Sequence, residues 1–129
     1  MKQVHGWPPN IEEINKVLKT RIGTIFTYGD TIYLSAGGKI DAALIAHEEV
    51  HQVQQGKDPA GWWTKYLHSA AFRLMQEVEA HRAEWRKFCS VGRTRNDRRF
   101  RLGQIARRLA GPMYGGLTTV KKAKAIIQS

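Results

Sequence analysis

His47, Glu48 and His51 stand within five residues of one another in the segment "ALIAHEEVHQVQQG", Ala43 to Gly56. On a helix, residues four apart share a face, with β-carbons about 5–6 Å apart. The imidazoles of His47 and His51 can therefore reach one small cation. Glu48 is turned about 100° around the axis from His47, so it can lie close to that cation without ligating it. This is the His-Glu-x-x-His pattern, in which two histidines hold zinc and the glutamate handles a proton. Leu44, Val50 and Gln54 share the histidine side of the helix. Imidazoles on such a face are costly to bury unless they are paired, and a metal would pair them. The plainer reading is two histidines hydrogen-bonded to core partners, with Glu48 on a wet face.

A catalytic zinc takes three protein ligands and a water. One common third ligand, a histidine six residues past the second with a glycine midway, is excluded because Lys57 and Gln54 occupy those positions. The other is a glutamate from a later helix, and "QEVEAHRAEW" offers Glu77, Glu79 and Glu84. Ala71, Leu74, Met75, Val78, Trp85, Phe88 and Cys89 form one apolar stripe, expected to face the core. Glu77 and Glu79 fall on opposite borders of it. Glu77 shares its border with His81 and Glu84, and Glu79 shares its own with Arg82 and Arg86, which can neutralise it. Periodicity favours Glu77 slightly, with Glu79 second. The plainer reading of Glu77 is a boundary carboxylate paired with Arg73.

With 25 residues between them, "HEEVH" and "EVEAH" resemble the corresponding motifs of the small gluzincin-type zinc metallopeptidases, minimal single-domain members of which occur in bacterial and phage genomes. The trailing glutamines of "HEEVHQVQQ", the "EVEA" run and a hairpin before the metal helix carry the resemblance, which spans about Thr24 to Trp85. It implies a zincin-like domain with one zinc ion, His47, His51 and Glu77 as ligands and Glu48 as the catalytic carboxylate. In that family an aspartate four residues after the ligand glutamate often orients a ligand histidine. Here that position is His81, an imidazole that can take the same orienting role.

The elements that must position these residues are legible as an α+β pattern, mostly helical with a small sheet. Asn10 is placed to cap a helix over "NIEEINKVLK". "TIFTYGDTIYLS" reads as a hairpin with strands near 24–28 and 31–35, turning at Gly29-Asp30. Asp41 caps the His-Glu-x-x-His helix, which runs to Gly56. A short helix follows at about 60–67, then a long one at about 69–91, one near 97–110, and a last one capped by Thr118 or Thr119 and running through Gln128. Residues 1–129 fit a single domain, with a metal-site core over about 24–90 and a basic helical part over about 93–129.

Composition sets the bounds. Apolar residues make up 42% and charged residues 25%, as in ordinary globular chains. The single cysteine, Cys89, excludes an internal disulfide and a cysteine-based zinc knuckle. No membrane span or signal peptide is legible, which fits a cytoplasmic location. The formal net charge is +10, which promotes contact with nucleic acid or other anionic partners. "RTRNDRRFRLGQIARR", residues 93–108, carries most of that surplus around Phe100, as some nucleic-acid-binding segments do. The alternative for it is a solvated helix face with Leu102, Ile105 and Leu109 packed inward.

The chemistry expected is hydrolysis of a peptide or protein substrate, with Glu48 taking a proton from a zinc-activated water. Tyr66, His68, His81 and Tyr114 are candidate donors to the oxyanion, and "TIYLS" is a candidate edge for an extended peptide. Two other functions compete. One is a nucleic-acid-associated protein whose metal site is structural or acts on DNA-bound proteins. The other is an inactive zincin serving as an interaction module, its site closed by a fourth ligand such as His81 or His68.

Overall fold

A computed structural model describes all 129 residues. Three short strands precede most of the helices. Strand β1 (Lys2–His5) lies parallel to β3 (Thr31–Leu34), and β2 (Ile25–Tyr28) pairs antiparallel with the other side of β3, giving the order β1-β3-β2. β1 has no counterpart in the sequence reading. All four of its residues are exposed, so it has no apolar face to announce it and is held by backbone pairing to β3. The consequence is a correction: "TIYL" is the central strand and offers no edge. The edge strand beside the metal helix is β2, whose outer side is already taken at Thr27 by Gln55 and Trp63.

Helix α1 (Ile11–Val17) starts after Asn10, but the Asn10 side chain makes no capping bond. The caps of the later helices are made by side chains. Asp41 accepts from the Leu44 amide at the start of α2 (Ala42–Gln55), and Gly56 ends that helix at a positive φ of 54°. Asp58 caps α3 (Pro59–His68), and Ser69 caps α4 (Ala70–Ser90). Thr94 and Asp97 form a reciprocal capping box for α5 (Arg95–Leu109), so that helix begins earlier than residue 97. After a 3-10 turn at Pro112–Tyr114, Thr119 caps α6 (Val120–Gln128). The result is the mostly helical α+β architecture that the sequence implies, and no helix is long and apolar enough to cross a membrane.

The apolar core is in two parts. Ile14, Phe26, Trp62, Trp63, Tyr66 and Leu67 form one cluster from α1, β2 and α3. Leu102, Ile105, Ala106, Leu109, Tyr114, Ala123 and Ile127 form the other, from α5, the 3-10 turn and α6. The closely packed pair α2 and α4 runs through the middle of the domain. The buried residues of α4 are Arg73, Glu77, Ala80, His81, Glu84 and Phe88. The expectation that its apolar stripe faces the core holds only in part. Leu74, Val78 and Trp85 pack against the α5–α6 cluster, while Met75 is 69% exposed. α4 is covered on two sides, and the side turned to α2 is the polar one. Burying that many polar groups is tolerated only where each finds a partner.

Candidate metal centre

The partners are one another. His47 Nε2 lies 3.1 Å from His51 Nε2 and 3.1 Å from Glu77 Oε1, and His51 Nε2 lies 3.2 Å from Glu77 Oε2. With Glu77 Oε1, which is 3.3 Å from His51 Nε2, two successive turns of α2 and one residue of α4 thus bring three ligand atoms into a buried triangle with sides of 3.1–3.3 Å. Adjacent ligands around a tetrahedral ion with bonds of about 2.0–2.1 Å are about 3.3–3.4 Å apart. The triangle matches that spacing within a few tenths of an ångström.

The far side of each imidazole fixes its tautomer. His47 Nδ1 lies 2.9 Å from Glu84 Oε1, and His51 Nδ1 lies 2.8 Å from Gln54 Oε1. Glu84 accepts, and the Gln54 amide nitrogen is committed to donating to the Gln76 carbonyl, so both Nδ1 atoms donate. Both Nε2 atoms then face the triangle and can offer a lone pair there once deprotonated, as metal ligation requires. Glu77 is held from behind by the Tyr66 hydroxyl, which donates to Oε2 at 2.7 Å.

A second buried group, His47, His81 and Glu84, is also close enough to hold an ion. Its contacts are shorter: Glu84 Oε1 is 2.9 Å from His47 Nδ1 and 2.8 Å from His81 Nδ1. Those are hydrogen-bond lengths for an N–H donor on a carboxylate. Glu84 Oε2 accepts from Arg101 Nε at 2.8 Å, and Arg101 continues to Asp41. Glu84 is therefore an outer carboxylate that orients His47, and the His47–His51–Glu77 triangle is the better place for a metal.

Glu48 is buried beside the triangle without belonging to it. Its Oε2 accepts from Thr27 Oγ1 at 2.6 Å. Thr27 is fixed in turn because its carbonyl accepts from Gln55 Nε2 at 2.7 Å and Trp63 Nε1 at 3.1 Å.

The charges follow from this packing. Burial disfavours the charged form of His47, but hydrogen bonds to Glu77 and Glu84 outweigh it and push the imidazole up to about 10. His51 is also raised, burial being overcome by the Glu77 charge. Burial works against the charge of Glu77 too, yet the two imidazoles hold it well below the usual carboxylate range. His81 is lowered by burial, with the His47 charge adding to the effect. Without a metal the triangle is a site for protons, and a cation must displace them.

The centre opens into a cleft of about 700 Å³. Thr24, Ile25 and Phe26 line one wall, Arg101, Gln104 and Arg108 of α5 another, and Trp63, Tyr66 and Tyr114 close the rest. Of the residues singled out from sequence, His47, Glu48, His51 and Glu77 are brought together. Glu79 is exposed on the far border of α4 and has no place in the site. His81 is buried in it, but as the partner of Glu84, and its Nε2 is 4.0 Å from Glu77 Oε1. His68 is exposed and lies outside the cleft. Arg73 does not pair with Glu77; it donates to the carbonyls of Tyr66, Leu67 and Met113. Sequence reasoning missed Thr27 and the role of Glu84. Glu84 had a signal, two turns beyond Glu77 on the same border of α4. Thr27 had none, because its contact depends on how the sheet packs on α2.

No protein-family model matches this chain. Searches of curated proteins and of solved structures likewise give no significant match.

Proposed function

We propose that this protein is a zinc-dependent metallopeptidase of the gluzincin kind, with His47, His51 and Glu77 as ligands and Glu48 as the catalytic carboxylate. The observation that carries the reading is the division of labour among four buried side chains. Three converge at ion-binding distances, the two imidazoles with Nε2 turned inward, and the fourth, a carboxylate, lies beside them uncommitted to the ion. Structural zinc sites are closed by four protein ligands, whereas three ligands leave a position for a water beside that fourth group.

Zinc bound there supplies a water acidic enough to lose a proton near neutral pH and polarises the carbonyl under attack. Glu48 does the proton chemistry. With Oε2 on the Thr27 hydroxyl, it takes the proton of the attacking water and passes it to the leaving amine. Tyr66 is committed to Glu77, and His81 to Glu84. Tyr114, buried and facing the cleft, is the remaining candidate among those named for donating to the oxyanion.

The substrate is an extended peptide or protein segment laid along β2. The Thr27 carbonyl points away from β3, towards Gln55 and Trp63. By strand alternation the Ile25 N–H and C=O point the same way, towards the cleft that Ile25 lines. Backbone pairing there selects an extended chain with little regard for its side chains. The two histidines named as a possible closing ligand for an inactive module, His68 and His81, are exposed and tied to Glu84 respectively.

The test combines elemental analysis with cleavage of an unstructured protein. The wild-type chain is expected to hold one zinc and to cleave in a chelator-sensitive way. Glu48→Gln should keep the zinc and lose cleavage, and His51→Ala should lose both. Full turnover by Glu48→Gln contradicts the proposal.

A further inference from the structure

The charge of this chain is divided unevenly. From Arg86 onward lie 12 of the 21 Lys and Arg residues and only one of the 11 acidic ones, Asp97. The net charge of +10 therefore resides entirely in the last third, and the part that builds the metal centre is close to neutral.

The fold concentrates that charge at one corner. The end of α4, the connection to α5 and the first turns of α5 extend beyond the core, and every residue from 91 to 100 is exposed. The inward face of α5 reaches the core only from Leu102 onward. Six cations stand at this corner: Arg86, Lys87, Arg93, Arg95, Arg98 and Arg99. None makes a salt bridge within the protein, whereas Arg101, one turn further on, is bound to Glu84 and Asp41. The one acid present, Asp97, is occupied in the capping box with Thr94. Phe100 projects from the same stretch at 65% exposed. Like charges gathered without counter-charges repel one another and destabilise the fold, and an anionic partner reverses that cost.

We infer that the α4–α5 corner binds nucleic acid through its phosphate backbone. Between residues 91 and 100 the cations are all arginine, and guanidinium groups engage phosphate oxygens in bidentate pairs. The same stretch offers two apolar side chains, Val91 and Phe100. That is too little apolar area to anchor a helix in a lipid interface, where binding scales with buried apolar surface. Phe100 among the arginines suits stacking on an unpaired base. The inference does not depend on the peptidase reading, because none of the six cations lines the metal cleft.

The experiment is fluorescence anisotropy with a labelled mixed-sequence duplex of about 20 base pairs, about two helical turns, and with the matching single strand. If four to six phosphates are neutralised, log affinity should fall against log salt with a slope of about −4 to −5, a loss of a few hundred-fold between roughly 50 and 200 mM. The triple variant Arg95→Ala, Arg98→Ala, Arg99→Ala should flatten that slope by about 3. All three side chains are exposed, so circular dichroism should show an intact fold. The control variant Lys16→Ala, Lys19→Ala, Lys57→Ala removes three exposed cations elsewhere and should leave the slope unchanged. Absence of binding to either probe at the lowest salt overturns the inference. So does an affinity that responds equally to both triple variants, or tighter binding to phosphatidylserine vesicles than to the nucleic acids.

Discussion

Thr27 and Glu48, one on an edge strand and one on the metal helix, are joined by a hydrogen bond of 2.6 Å from Oγ1 to Oε2. This contact ties the small sheet to the proposed chemistry. A bond to a charged acceptor contributes about 1.5–3 kcal/mol, and about 1.4 kcal/mol is a factor of ten in rate. Thr27→Val keeps the shape of the side chain and removes the donor. It should lower kcat roughly tenfold or more, with zinc content and KM unchanged, because neither the triangle nor the strand edge is touched. An unaltered kcat in steady-state assays would remove Thr27 from the mechanism, and loss of zinc would show that it acts on the fold instead.

Glu84 bears on the ion through His47. Its Oε1 takes the Nδ1 proton and so keeps the Nε2 lone pair in the triangle. Outer partners of this sort typically influence metal affinity by 10–100-fold. Glu84→Gln preserves volume but replaces the charge with an amide that must choose between His47, His81 and Arg101. Zinc affinity, measured by competition with a chromophoric chelator, should fall roughly 10–100-fold, while Glu79→Gln, on an exposed residue, should leave it unchanged. Equal affinities for the two variants would mean that Glu84 does not orient the ligand.

Most helices and the pairing of His47 with His51 were legible because their signals are local. The His47–His51 spacing, the caps at Asp41 and Thr119, and the inward Leu102, Ile105 and Leu109 each depend on a few neighbouring residues. What escaped was long-range. β1 has no apolar pattern, and only its pairing with β3 defines it, which in turn makes β2 the edge strand beside α2. α4 misled because its apolar stripe meets α5 and α6 while its polar face carries the site. Periodicity identifies an apolar face but does not say that a polar one is also buried. The choice of Glu77 over Glu79 rested on a slight preference and a resemblance, and the geometry now separates them, one buried in the triangle and the other exposed.

The two halves of the core should be separable by mutation. Leu109 is fully buried, at 0% exposed, in the cluster that α5 and α6 share. Leu109→Ala should cost about 2–5 kcal/mol, chiefly through the cavity it leaves. At roughly 3–5 °C per kcal/mol, the melting midpoint should fall by roughly 10–20 °C. The triangle is built on α2 and α4, so zinc affinity at 25 °C in the folded protein should change little. A melting midpoint within error of the wild type would refute the packing of α5 on α6, and a large loss of zinc affinity would show that this packing reaches the triangle through Arg101 and Glu84.

Proton and metal compete for the same atoms, and this fixes the sign of the pH dependence. In the metal-free protein His47 is raised from 6.5 to about 10 by Glu77 and Glu84 against the opposing effect of burial. A raised folded-state pKa contributes stability that is complete below the unfolded value of 6.5 and is lost as pH climbs towards about 10. Chelator-treated protein should therefore lose thermal stability across that alkaline window. Metal binding needs the unprotonated imidazole, so zinc affinity should rise by about tenfold per pH unit over the same range, and loaded protein should gain on the metal-free form as pH increases. At pH 7 at least one proton should be released for each ion bound, because His51 is raised as well as His47, read by calorimetry in buffers of different ionisation enthalpy. Zinc uptake with no proton release at pH 7 would mean that His47 is already neutral, and the reading of the triangle as a proton site would fall with it.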